Sequence, residues 1–136
     1  MTQSLPISAA VLLTLALAGV TAIRDAQAGD PTPDRSLLAS DCLSMKARPN
    51  GPAHLRNACE YDVEYVYCSV DGPSNKCAHA RFGYQAIEAR GESPSPFPSD
   101  HTYRYGACRR DGREGSVSIE GVRFDGDKLV FDCVRI

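Results

Sequence analysis

The sequence predicts an all-β fold, a small antiparallel β-sandwich or barrel of five to seven strands stapled by disulfides. Three observations carry this. Short runs of alternating apolar and polar residues recur between turns rich in Gly, Pro, Asp and Ser, and no long run repeats at helical spacing. The chain also carries 6 cysteines, all beyond Asp41. An even count in an exported chain means a disulfide framework more often than metal binding or free thiols.

The N-terminus supplies the export argument. An apolar run from Ile7 to Ala22 is followed by Ala26-Gln27-Ala28, a small-x-small site before Gly29. This is the layout of a cleavable signal peptide over residues 1–28. The apolar run is short for a hydrocarbon core of roughly 30 Å, and valine follows Leu17-Ala18-Gly19 where a lipoprotein needs cysteine. Neither a membrane anchor nor a lipid anchor is therefore expected. The polar, proline-bearing segment 29–36 reads as a flexible leader, and residues 37–136 as a single domain. The expected location is the periplasm or the medium.

Along the domain, Leu37 to Met45 fits either a helical face or a strand. Ala47 to Asn57, "ARPNGPAHLRN", has the chemistry of a loop, with Asn50-Gly51 flanked by prolines. Next comes "CEYDVEYVYC", Cys59 to Cys68. Tyr61, Val63, Tyr65 and Tyr67 alternate with Glu60, Asp62 and Glu64, the pattern of a half-buried strand with an acidic outer stripe. Its terminal cysteines would lie roughly 30 Å apart on a straight strand, whereas a disulfide needs Cα atoms within about 7 Å. They must bond elsewhere.

Ser69 to Lys76 is a turn-rich connector. A second strand is expected where Ala78, Ala80, Phe82, Tyr84 and Ala86 alternate with His79, Arg81 and Gln85. Pro94, Pro96 and Pro98 deny regular pairing to Arg90–Asp100. His101 to Arg109 makes a third strand, with Tyr103, Tyr105 and Ala107 opposite Arg104 and Cys108. The clearest pair is last: Val117 to Phe124 and Leu129 to Cys133 flank Asp125-Gly126, a hairpin signature, and Gly121 breaks the phase as a bulge would.

Spacing alone does not determine cysteine pairing. Geometry favours Cys68 with Cys77 across the base of the connector, Cys42 with Cys133 closing the domain, and Cys59 with Cys108.

The chemistry-bearing motifs are sparse. The chain lacks a Walker loop, G-x-G-x-x-G, G-x-S-x-G, H-E-x-x-H and any C-x-x-C pair. No cofactor and no metal are expected. A net charge of −2 argues against nucleic acid or an anionic membrane surface as partner. An acid–base ribonuclease would draw on Glu60 or Glu64, His79 or His101, and Arg81 or Arg104. Nothing in their spacing is specific to that chemistry, so no catalytic residues are assigned.

The leading expectation is a protein-binding inhibitor or immunity-type neutraliser whose partner is another exported protein. The alternative is a carbohydrate- or small-ligand-binding module, which needs exposed aromatic faces that the tyrosines do not obviously offer. The candidate binding residues are Phe97, Tyr103, Arg104, Arg109, Arg110 and Arg113. Tyrosine and arginine are enriched at binding hot spots. Phe97, fenced by prolines, is either a rigid exposed tip or a plug over a sheet end.

Overall fold

The computed structural model describes residues 31–71, 75–110 and 116–136. The expected signal peptide, the start of the expected leader and Arg113 lie outside these residues. Seven strands form three small antiparallel sheets: β1 (Leu43–Arg48) with β2 (Gly51–Asn57), β3 (Val63–Ser69) between β4 (Gly83–Ile87) and β5 (Tyr103–Arg109), and β6 (Val117–Asp125) with β7 (Lys128–Arg135). The fold is all-β, with only two 3-10 turns, Arg35–Leu37 and Ser40–Cys42, before the first strand.

The central strand organises these pieces into layers. Side chains of a strand point alternately to opposite faces. Val63 and Tyr65 of β3 join Ile87 and Ala107 in a core with Leu43, Ala53 and Leu55 of the first hairpin. Val66 and Cys108 face the other way, into a second core with Val117, Ile119 and Cys133 of the last hairpin. The three-stranded sheet is therefore a middle layer covered on both sides. The expected half-buried strand is in fact buried on both faces, because Val66 and Cys68 occupy the side assigned to the acidic stripe.

Other local expectations change with this arrangement. Ala47–Asn57 is mostly strand, with Pro49-Asn50 as the turn between β1 and β2. Ala53 and Leu55 are buried and Pro52 is exposed, an alternation masked by the prolines. Asn57 is fully buried; its side-chain N–H groups donate to the carbonyls of Tyr61 and Glu88, and its Oδ1 accepts from the Cys59 N–H. The second strand begins only at Gly83, since residues 76–80 form a turn. Its phase is opposite to expectation: Ile87 points into the core, and Tyr84 is 48% exposed. The leader is shorter than expected. Pro33 bridges Val134, and the Asp34 N–H donates to the Cys133 carbonyl at 2.8 Å.

The last hairpin follows its sequence pattern. Asp125 pairs with Lys128, which leaves Gly126 (φ +65°) at the first position of a two-residue turn. The register slips between Glu120 and Arg123, where Gly121 adopts φ +60°. That is the bulge.

Three disulfides pin the layers: Cys42–Cys59, Cys68–Cys77 and Cys108–Cys133. The pairings Cys42–Cys133 and Cys59–Cys108 are not formed. Cys42 and Cys59 lie just beyond the Leu43–Asn57 rung that opens the first hairpin, so recognising Ala47–Asn57 as strand and turn brings them together. Cys108 lies on the sheet face turned toward β7, where Cys133 waits.

Two outcomes follow for stability. Cys108–Cys133 closes the longest of the three disulfide loops, with a sequence separation of 25. The double variant Cys108→Ser/Cys133→Ser should lose about 3–4 kcal/mol in urea unfolding by chain entropy alone. A Cβ at Gly106 would fall inside the Phe131 ring. Gly106→Ala should therefore destabilise by about 1–3 kcal/mol through overpacking between layers, and an unchanged urea midpoint would refute that contact.

Candidate functional site

At one end of the middle sheet a groove of about 540 Å³ opens between two loops. One lip is the connector that carries Lys76 and Arg81, and the other is the proline loop that ends at His101. Tyr67, Gly83 and Tyr103 lie between the lips. The floor exists because β4 starts with glycine. Gly83 pairs with Tyr67 across the sheet, and a Cβ there would overlap the Tyr67 ring. The ring fills that space and reaches the groove.

Phe97 fixes the floor from beneath. It is only 3% exposed, and its backbone N–H and carbonyl both bond to Ala53 at 2.8 Å. Its ring packs edge-on against Tyr67, with centroids 4.9 Å apart, and against Tyr103 at 5.0 Å. The projecting tip is thus overturned; of the two arrangements considered, Phe97 is the plug. Buried aromatic packing of this kind contributes about 0.5–1.5 kcal/mol per pair beyond area burial.

Each lip is held by a specific tie. On the connector, Cys68–Cys77 joins the end of β3 to the turn, and the Arg81 N–H donates to the Lys76 carbonyl at 2.8 Å. On the opposite lip, His101 Nδ1 stands 3.3 Å from Asp71 Oδ1, an oxygen that has no hydrogen bond among the described residues. His101 Nε2 lies 3.8 Å from Asp100. The other Asp71 oxygen accepts the Thr102 N–H at 2.7 Å. Desolvation pushes the Asp71 carboxyl up, but the Thr102 hydrogen bond and the nearby His101 ring outweigh it and hold the group below its ordinary value. Tyr103 is pushed up, first by burial and then by the negative charges of Asp100 and Asp71. Its hydroxyl stays protonated at neutral pH.

The remaining sequence-selected residues are dispersed. Tyr103 lines the groove, while Arg104 on the opposite face donates from Nε to the Asp127 carbonyl at 2.9 Å. Arg109 ends β5 and Arg110 follows it, roughly 20 Å from Tyr103 along the strand. The Arg109 guanidinium sits 4.5 Å over the Tyr61 ring, and the Arg110 N–H donates to the Asp62 carbonyl. The ribonuclease set separates too. Arg81 and His101 share the groove, but Glu60 pairs with Arg90, and Glu64 sits opposite Cys108 on the other sheet face. No aspartate or glutamate is among the described lining residues.

Tyr67, Lys76 and Arg81 were not assigned to a binding site from the sequence. The signals that point to them are the local Cys68–Cys77 loop and the glycine facing a tyrosine. Among the described residues no cluster of His, Cys, Asp or Glu could hold a metal ion. No protein-family model, curated protein or solved structure matches the chain.

The Asp71 tie has a pH signature. Asp71 holds its proton less tightly in the fold than in the unfolded chain. It therefore stabilises the fold above the ordinary carboxylate value of about 4, and the contribution is lost as pH falls through the lower folded-state value. Asp71→Asn should flatten the acid limb of stability below about pH 4, with unfolding midpoints followed across pH. An acid limb identical to that of the parent chain would remove Asp71 as its source.

Proposed function

We propose that the chain is an exported binding module that receives a small ligand in the groove between the connector and the proline loop. Three intramolecular disulfides indicate an oxidising compartment. The apolar run Ile7 to Ala22 with Ala26-Gln27-Ala28 supports export to the periplasm or medium. Among the described residues no helix is long and apolar enough to cross a membrane.

The observation that carries the reading is the placement of Tyr67 and Tyr103, each packed on Phe97, in the lining of one concave site. Its volume falls within the roughly 300–1,000 Å³ of small-molecule pockets, whereas a protein partner typically covers about 800 Å² on each side. Two half-buried tyrosines also supply the aromatic faces that a carbohydrate- or small-ligand-binding module requires. With Phe97 buried, capture of an exported protein by that ring loses its anchor.

A small-molecule screen by NMR on the oxidised chain tests this. Ligands should shift the resonances of Tyr67, Gly83 and Tyr103 together, and Ser95→Phe, which fills the lip, should abolish those shifts without lowering the melting temperature. Shifts confined to the Arg109–Arg110 end of β5 would end the assignment.

A further inference from the structure

Resting on the reading of the groove as a ligand site, we infer that its ligand is a sugar bearing an acidic group. The first argument is charge. The chain as a whole is acidic, with 17 Asp and Glu against 15 Lys and Arg. The described groove lining reverses that balance, for it holds Lys76, Arg81 and His101 and no carboxylate. Among the described residues neither Lys76 nor Arg81 is ion-paired. Both are exposed residues, so their charges are open to a ligand at the groove. Two unpaired cations carried five residues apart on a disulfide-tied lip form a site for a carboxylate, sulfate or phosphate group.

The second argument is the floor. Tyr67, Ser69, Ser95 and Tyr103 place four hydroxyl-bearing residues in the lining, a composition suited to the alternating donors and acceptors of a sugar ring. The tyrosine bodies offer apolar surface to its C–H groups. The acidic group belongs at Lys76 and Arg81, because His101 already stands beside Asp71 and Asp100.

The test titrates the oxidised chain with digalacturonate, a sulfated disaccharide and glucose 6-phosphate. Maltose is the neutral match and AMP the nucleotide control, with binding read by calorimetry and the tyrosine resonances. At least one acidic sugar should bind about tenfold or more tightly than maltose, and its affinity should fall as salt rises. Lys76→Ala/Arg81→Ala should remove that preference with the melting temperature unchanged, and Arg81→Lys alone should retain part of it. Maltose binding in the groove as tightly as the acidic sugars overturns the acidic requirement while leaving the groove as a ligand site. Tighter binding of AMP than of any acidic sugar overturns the sugar class. If no probe moves Tyr67 or Tyr103, both the acidic-sugar assignment and the ligand groove fall.

Discussion

The architecture depends on one constraint: β3 has no solvent face. Val63, Tyr65, Val66 and Cys68 are all buried, so alternate residues along one strand must be covered from opposite sides. Each cover is a two-stranded hairpin, which is marginal in water on its own. The first hairpin becomes stable by burying Leu43, Ala53 and Leu55 on Val63 and Tyr65. The last does so by burying Val117 and Ile119 beside Val66 and Cys108. Neither core is large, and the disulfides compensate. Cys108–Cys133 bonds the middle layer to the last, while Cys42–Cys59 locks the open end of the first. Cross-links of this kind are the usual answer when a small exported chain cannot bury enough apolar surface.

The same constraint explains what could be read from the sequence and what could not. Strands β3, β5, β6 and β7 announce themselves by alternation, and Asp125-Gly126 and Gly121 mark the last turn and its bulge, because these signals are local. The first hairpin is hidden because Pro49 and Pro52 look like loop residues, although Pro52 merely occupies an exposed position. Misreading it as loop leaves Cys42 far from Cys59 and forces the wrong pairing for four of the cysteines. Strand β4 is misphased for a related reason. Tyr84 looks like a core residue, yet it lies on an edge strand beyond the reach of the last hairpin, and Ile87 alone identifies the inward face.

The groove was the least legible feature, since it is made of leftovers. Its floor is the end of the middle sheet, its lips are two irregular segments, and its lining comes from stretches far apart in sequence. Pro94, Pro96 and Pro98 keep their segment out of the sheet, yet Phe97 still makes two backbone bonds to Ala53. The segment is tied along β2 through Gly91, Ser93 and Phe97, and its exposed residues between and beyond these ties form the wall. Among the described residues first selected for binding, Phe97 and Tyr103 line the groove. Arg104 and Arg109 share the strand of Tyr103 and Arg110 follows it, but all three serve other contacts, because a strand presents successive residues to different layers and different ends.

Covalent anchoring gives the groove its link to compartment. Next to Lys76, Cys77 is held by Cys68–Cys77 and by the backbone bond from its N–H to the Ser69 carbonyl. The facing lip relies on Asp71 accepting from Thr102 and standing beside His101. A ligand's acidic group would meet cations that are already in place, so less ordering entropy is lost on binding. Without the sulfur bond the connector would hold those cations only on average. An oxidising environment therefore does more than stabilise this fold: it fixes the charged lip relative to the aromatic floor, on which the proposed recognition would depend.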